Sequence, residues 1–205
     1  EGLINLSDIA PTFLQAADVK VPTMMTANSL MGVLKNEATT KRDSAYIAME
    51  RHDGCRKGGK GYPSRAIRTQ DYLYIRNHEP TRWPAGNPNR EFCARYIPFG
   101  EVDTSPTKTL LMDNANKAGF KRFYDLAFSK RPAEELYHVT KDPGQLVNLS
   151  ENPKYAAIQK KLASQLQEHL VRTKDPRALG LDAPWDHYPY YGLRRNKNWQ
   201  VDPKP

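Results

Sequence analysis

The sequence has little cysteine and no long hydrophobic run. Its 205 residues include two cysteines, Cys55 and Cys93, and neither lies in a CxxC or Cys/His spacing, which argues against a metal site. The two thiols allow either one disulfide, in an exported protein, or two free buried side chains. No stretch approaches the roughly 20 apolar residues of a membrane helix, so no membrane span is predicted. Residues 1–20 lack the pattern of a signal peptide, and the opening Glu1-Gly2-Leu3 is typical of the middle of a longer protein.

Apolar residues are also scarce. They make up 39% of the chain and the mean hydropathy is −0.76, which is low for a compact globule, although 11 Tyr, 6 Phe and 3 Trp can supply a core. Sixteen Pro and 12 Gly predict many turns and irregular connections. The net charge of +8 and the pI near 9.4 favour polyanionic partners. Nucleic acid and a sulfated glycan both fit that charge.

Residue periodicity predicts an α+β fold. Alternating apolar and polar residues indicate strands at Ser44–Met49 and Glu135–Val139, and a hairpin of Arg65–Thr69 and Tyr72–Asn77 that turns at Gln70-Asp71. A long helix is expected over Pro153–Arg172, because Pro153 follows Asn152 and a leucine-rich stripe follows at helical spacing. We therefore expect a small, mostly antiparallel sheet of about four strands with a long C-terminal helix packed on one face.

The remaining segments are predicted to be helical at the start of the chain and irregular elsewhere. Asn5–Asp18 is expected to be a helix with Asp8 as its N-cap, and its Ile9/Phe13 face would lack cover in isolation. His78–Thr107 is a long loop, which in a compact domain is usually functional or covers another surface. From Lys174 the chain is rich in Pro and aromatic residues, so we expect it to wrap over a surface.

Five phrases, in this order, resemble the C-terminal part of a formylglycine-dependent sulfatase of the alkaline-phosphatase-like superfamily. They are NLSDIAPTFLQAADVKVP (5–22), Ser29-Leu30 with Val33-Leu34, RAIRTQDYLYIRN (65–77), EELYHVTKDPGQLVNLSENPKY (134–155) and TKDPR (173–177). The phrases ERH (50–52), YPSRAIRT (62–69) and RWPAG (82–86) favour the heparan N-sulfatase, or sulfamidase-like, branch. The resemblance implies three parts: residues 1–36 end the N-terminal catalytic α/β domain, 37–177 form the C-terminal subdomain, and 178–205 are an extension.

The resemblance also implies where the chemistry lies. Sulfatases of this family use a formylglycine made from Cys or Ser and a calcium ion, and both are expected in a domain upstream of this chain. No Cys-x-Pro/Ser-x-Arg nucleophile motif occurs in these residues. We therefore assign no catalytic or metal-binding residue here and expect the chain alone to be inactive. The family further implies a periplasmic or secreted protein, a sulfated glycan such as heparan-type glucosamine as substrate, and no nucleic-acid partner.

The segment Glu50–Arg56 is the candidate substrate-binding site. It follows a predicted strand, and in sulfamidase-like enzymes a His/Glu-bearing loop at this point faces the active site, which maps by position to Glu50, Arg51 and His52. Arg51 could bind a sulfate or carboxylate through two nitrogens, His52 could donate to a sulfamate or hydroxyl, and Glu50 could accept from sugar hydroxyls. The alternative is an ordinary strand end with solvated charges. Arg65 is likewise interpreted as part of a solvated face or as an interdomain pair.

Two other functions stay open at this point. A non-catalytic module that binds polyanions or glycans would explain the positive charge without any upstream chemistry. A phosphate- or phosphonate-ester hydrolase of the same superfamily would keep the fold and change the reaction, and its upstream nucleophile would then be a plain Thr or Ser.

Overall fold

The computed structural model describes residues 2–38 and 42–201. Residue 1, residues 39–41 and residues 202–205 lie outside the described residues. Each of the three predicted parts therefore includes residues that the structure does not describe. The described helices are α1 (Ile9–Ala16), α2 (Met31–Leu34), α3 (Pro106–Asp113), α4 (Ala118–Phe128) and α5 (Ala156–Arg172). The described strands are β1 (Ser44–Met49), β2 (Ser64–Thr69), β3 (Tyr72–Asn77) and β4 (Glu134–His138). Short 3-10 helices occur at Leu6–Asp8, Lys57–Gly59, Arg90–Phe92, Pro153–Tyr155 and Pro184–His187.

The four strands form one antiparallel sheet in the order β1-β2-β3-β4. The β2–β3 hairpin turns at Gln70-Asp71, as predicted, and the Thr69 hydroxyl accepts a hydrogen bond from the Tyr72 N–H at 3.1 Å. Ile67, Tyr74 and Leu136 occupy paired positions on neighbouring strands, so their side chains lie on the same face of the sheet. The predicted α+β fold class is confirmed.

Helix α5 covers that face. Leu162, Leu166 and Leu170 recur every four residues, which places them on one side of the helix, and they pack on the row formed by Ile67, Tyr74 and Leu136. The predicted start of this helix, with Asn152 before Pro153, is confirmed. The Asn152 side chain accepts from the Lys154 N–H at 3.1 Å, and Pro153 is in the first turn. That first turn is a 3-10 helix, and the α-helix follows from Ala156.

Helix α1 has a largely exposed apolar side. Phe13 is 70% exposed, and Leu6 and Ile9 are exposed as well. Asp8 is at the N-cap position of α1, as predicted, but its side chain makes no capping hydrogen bond to that helix. The capping box belongs to the preceding 3-10 turn, where the side chain of Asn5 accepts from the Ser7 N–H at 3.3 Å and Asp8 accepts from the Asn5 N–H at 2.8 Å. The Asp8 carboxylate also pairs with Arg42 at 2.8 Å. That the exposed side packs on a larger domain stays a prediction.

The segment between β3 and β4 packs as a second core. Phe99 and Phe128 stack with ring centroids 4.7 Å apart, and Trp83 and Tyr124 contact Phe99 edge-on. Lys108 of α3 is buried, and its ammonium donates to the carbonyl oxygens of nearby residues at 2.7 and 2.9 Å. The segment therefore carries its own aromatic core. Within residues 2–38 and 42–201, no helix is long and apolar enough to cross a membrane.

The two cysteines are buried free thiols. Cys55 and Cys93 have no exposed surface. Both lie against Gly100, where an added Cβ would sit 2.8 Å from Cys55 Cβ and 2.8 Å from Cys93 Sγ. Burial raises the pKa of the Cys55 thiol well above its usual range. Of the two possibilities left open by the sequence, the structure contains the free pair.

We expect both thiols to be unreactive towards an aromatic disulfide reagent in the folded chain. A thiolate is the reactive species, and burial hinders both its formation and access to it. After unfolding in concentrated guanidinium chloride without reductant, two thiols per chain should be titrated. A titre of zero under those unfolding conditions would contradict this expectation, because it would indicate a disulfide.

Candidate functional site

The candidate residues lie where β1 ends and the chain turns towards β2. Gly61 allows the returning backbone to pass close by, because an added Cβ at Gly61 would lie 2.9 Å from the Arg51 backbone nitrogen. Glu50, Arg51 and His52 are consecutive, yet their side chains enter three different environments. The structure therefore places the predicted residues at one point of the fold and gives each of them a different set of partners.

Glu50 lies between two guanidinium groups. Its Oε1 accepts from Arg65 Nη2 at 2.6 Å, and its Oε2 accepts from Arg177 Nη2 at 2.7 Å. Burial alone would raise the pKa of Glu50, but the hydrogen bonds from Arg177 and Arg65 outweigh it and lower the pKa. The carboxylate is thus held ionised with both oxygens engaged. Its predicted contact with sugar hydroxyls is untested, and this geometry favours a role in holding the loop.

The same guanidinium groups extend the network to both sides. Arg65 pairs with Asp175 at 2.7 Å, and Arg177 pairs with Asp186 at 2.6 Å. This chain of charges joins the end of β1, strand β2, the segment after α5 and the last 3-10 helix. The interpretation of Arg65 as a solvated side chain was wrong: it is 2% exposed, because it lies on the α5 face of β2 beneath the segment that carries Asp175 and Arg177.

Arg51 reaches across to the C-terminal segment. Its Nη2 donates to Tyr188 O at 2.8 Å and to Pro189 O at 3.3 Å, and its Nη1 donates to Gly59 O at 3.4 Å. All three acceptors are uncharged carbonyl groups. Among residues 2–38 and 42–201 no carboxylate pairs with Arg51, so its positive charge stays available to an anion.

His52 is the most accessible of the three residues. Its imidazole is 77% exposed, and Nδ1 lies 2.8 Å from Glu101 Oε2. The other oxygen of Glu101 accepts from Arg56 Nη1 at 2.8 Å, and Arg56 is itself buried and donates to Trp83 O and Pro84 O at 2.7 Å. The buried Arg56 and the partly buried Glu101 therefore orient the ring through Nδ1. No described residue contacts Nε2 by a hydrogen bond, which leaves that nitrogen to face a ligand.

Asp53, the next residue, ties the loop to the C-terminal strap, as we call residues 188–199. Its carboxylate accepts from the Tyr190 hydroxyl and from the Gly54 N–H at 2.7 Å, and it pairs with Arg95 at 2.6 Å. Trp199 packs directly on the same loop, since an added Cβ at Gly54 would lie 2.6 Å from its ring. The predicted wrapping of this tail over a surface is confirmed, and the surface is the candidate loop.

Sequence reasoning missed the residues that hold this loop in place: Asp53, Arg56, Arg95, Glu101, Tyr190 and Trp199. The aromatic run in the tail indicated packing, but nothing in the sequence shows which loop it covers. Nor does any local pattern connect His52 with Glu101, which are 49 residues apart.

The arrangement offers hydrogen-bond donors of the kind that contact an anion. Arg51 offers a positive charge without an acidic partner among the described residues. His52 offers Nε2, on a ring that Glu101 holds through Nδ1. Both cysteines are fully buried, and the described ranges contain no group of three or more His, Cys, Asp or Glu side chains that could hold a metal ion. The described residues do not fit a calcium site, so calcium and formylglycine remain predictions for an upstream region.

Curated proteins with similar sequences are sulfatases. Two ulvan-active sulfatases of Formosa agariphila are each 27% identical to the chain, over 164 and 178 residues, which cover 80% and 84% of it. A delta 4,5-hexuronate-2-O-sulfatase of Bacteroides thetaiotaomicron is 43% identical over 51 residues, or 24% of the chain and 11% of that protein. No family model matches. The similarity to the sulfatases extends over most of the chain and supports the sulfatase family.

The chain corresponds to a part of these relatives. It spans 28% and 26% of the length of the two ulvan-active sulfatases. Among solved structures, that of BT4656 in complex with its substrate D-glucosamine-2-N,6-O-disulfate has a TM-score of 0.48 and 23% identity, covering 83% of this chain and 25% of that one.

Proposed function

We propose that this chain is the C-terminal subdomain of a sulfatase that acts on a sulfated glycan. The reaction is hydrolysis of a sulfate ester or sulfamate, and heparan-type glucosamine is the substrate that the heparan N-sulfatase-like phrases favour. In this proposal the formylglycine nucleophile and the calcium ion belong to an upstream domain, the whole protein is periplasmic or secreted, and the chain alone releases no sulfate. The subdomain contributes part of the substrate pocket.

The observation that carries the proposal is the presence of Arg51 and His52 side by side on one loop, with each side chain held by contacts to other segments. A sulfated sugar presents anionic oxygens and hydroxyl groups, which match a guanidinium without an acidic partner and an exposed imidazole nitrogen. Such groups contribute most when they are held in position before the ligand arrives. Here the strap holds Arg51 and the Arg56–Glu101 pair holds His52. Similarity to sulfatases over four fifths of the chain supports the same reading.

We expect Arg51→Ala and His52→Ala, made in the intact protein that contains this chain, each to lower kcat/KM for the sulfated glycan tenfold or more. A tenfold loss corresponds to about 1.4 kcal/mol of transition-state stabilisation. Sulfate release is the measurement. Arg122→Ala is the matched control, because Arg122 is an exposed arginine of α4 away from the loop, and its kinetics should stay within twofold of the wild type.

The same assay separates the alternatives. Unchanged kinetics in both variants, with an active wild type, would remove the site assignment. If the wild type releases no sulfate and the chain still binds heparin in a salt-sensitive way that ignores both substitutions, the polyanion-binding module replaces the enzyme. Release of phosphate from a phosphate or phosphonate ester in place of sulfate would assign the ester hydrolase of the same superfamily.

A further inference from the structure

The hydrogen bond between His52 and Glu101 determines which ring nitrogen of His52 carries the proton. His52 Nδ1 lies 2.8 Å from Glu101 Oε2, and a carboxylate oxygen can only accept a hydrogen bond. In the neutral ring the proton is therefore on Nδ1, and Nε2 presents a lone pair. Because 77% of the His52 side chain is exposed, this lone pair is open to a ligand.

Glu101 is held in the position that this hydrogen bond requires. Its Oε1 accepts from Arg56 Nη1 at 2.8 Å. The guanidinium is itself held, because its Nε and Nη2 donate to Trp83 O and Pro84 O, both at 2.7 Å. The backbone N–H of Glu101 donates to Ala85 O at 3.1 Å. The two carboxylate oxygens therefore have separate roles: Oε1 fixes the side chain to the protein, and Oε2 orients the imidazole.

We propose that Glu101 is a positioning residue that makes His52 a hydrogen-bond acceptor, so that Nε2 binds a hydroxyl or N–H group of the glycan. The ligand class rests on the proposed function, a sulfated glycan. From the sequence, His52 was expected to donate; in the neutral ring the contact with Glu101 reverses that role. A sugar whose hydroxyl at this point is itself sulfated would bring a second acceptor against the lone pair and is disfavoured. Arg51 takes an anionic oxygen, and His52 selects a group that is not sulfated.

Glu101→Gln changes the position of the proton while almost preserving the shape of the side chain. The guanidinium of Arg56 can only donate, so the amide oxygen of the glutamine stays towards Arg56 and the amide nitrogen faces His52 Nδ1. An amide nitrogen is a donor, so the neutral ring then accepts at Nδ1 and carries its proton on Nε2. This single substitution therefore inverts the hydrogen-bonding character of Nε2.

Nitrogen-15 spectra of this chain at about pH 8.5, where an ordinary histidine with a pKa of about 6.5 is neutral, distinguish the two forms, because protonated and bare ring nitrogens resonate far apart. Loss of signals in His52→Ala assigns the ring. The wild type should show Nδ1–H and Glu101→Gln should show Nε2–H. Glu168→Gln, at an exposed position of α5, should match the wild type. A wild-type ring with Nε2–H would overturn the proposal without any variant, and so would Nδ1–H in a folded Glu101→Gln.

Kinetics of the intact protein test the role of the acceptor. Glu101→Gln should lower kcat/KM for the sulfated glycan about tenfold or more, while Glu168→Gln stays within about twofold of the wild type. Because Glu101 acts through His52, the double variant His52→Ala/Glu101→Gln should lie within about twofold of His52→Ala alone.

Two kinetic results would overturn the proposal. In one, Glu101→Gln is as active as the wild type, so Nε2 works equally well as a donor. In the other, the losses in the double variant are additive, so Glu101 acts independently of His52. An intact protein that releases no sulfate refutes the proposed function and leaves the nitrogen-15 result standing. An active sulfatase with Nε2–H in the wild-type ring refutes this inference alone.

Discussion

Replacing Arg65 with methionine is expected to lower the free energy of unfolding by about 3–5 kcal/mol, the usual cost of removing one partner from a buried ion network. Arg65 is buried and donates to Glu50 at 2.6 Å, to Asp175 at 2.7 Å and to two backbone carbonyls. Methionine keeps much of the side-chain volume but leaves two carboxylates with less compensation. The large effect therefore comes from charge, with packing mostly preserved.

Urea unfolding at pH 7, followed by circular dichroism, measures the change. Arg68→Met is the matched control, because Arg68 lies on the same strand but on the opposite face and donates only to the carbonyls of the adjoining turn. It should cost less than about 1 kcal/mol. A loss in Arg65→Met no greater than that of the control would show that the network does not stabilise the fold.

The difference between the wild type and Arg65→Met should shrink in acid. Burial would raise the pKa of Glu50 and of Asp175, yet their arginine partners lower both below the ordinary values of 4.5 and 3.8. A carboxyl group with a lowered pKa stabilises the fold above its unfolded-state pKa, and this stabilisation is lost as the pH falls through the native value. The two unfolding curves should therefore converge below about pH 4.

The sheet and its helix were predictable because their signals are local. Alternation along Tyr72–Asn77 determines which side chains face α5, and the leucines of α5 recur at helical spacing. The N-cap position of α1 was predicted correctly at Asp8, because a good cap residue stands just before Pro11 in the first turn. The partner of its carboxylate was not predictable, since Arg42 is 34 residues away from Asp8. Local patterns identify the elements, and distant partners decide their details.

The candidate site was predictable only as a location. Three charged residues after a strand indicated a site, but their environments depend on segments far away in sequence. Glu50 meets Arg177 at a separation of 127 residues, and Arg51 meets Tyr188 at a separation of 137. Arg65 was misread for the same reason, since its cover comes from beyond α5. Ion pairs between distant segments leave no periodic pattern in a single sequence.

The strap should detach locally when Trp199 is replaced with alanine. Trp199 is 4% exposed, packs on Gly54 and Gly59, and meets Tyr190 edge-on at 5.1 Å between ring centroids. Truncating a buried tryptophan costs about 3–5 kcal/mol. Because the sheet has its own core with α5, we expect this loss to appear mainly as release of the strap.

Hydrogen exchange of the native chain measures that release. The amides of Arg195 and Asn196, which donate to Ala94 O, should lose at least tenfold in protection, while amides in β2 and β3 should keep theirs. Tyr191→Ala is the control, since Tyr191 lies in the strap with 91% of its surface exposed. Full protection of both strap amides in Trp199→Ala would contradict a strap held by this side chain.

Release of the strap has a consequence for function. Arg51 donates to two strap carbonyls, and Asp53 accepts from Tyr190, so the loop loses these anchors when Trp199 is gone. His52 keeps its own support from Glu101 and Arg56. In the intact protein, Trp199→Ala should therefore approach the loss seen in Arg51→Ala, and the two changes combined should cost less than the sum of their separate effects. If the two losses in kcat/KM were strictly additive, Trp199 would affect the site in some way other than by positioning Arg51.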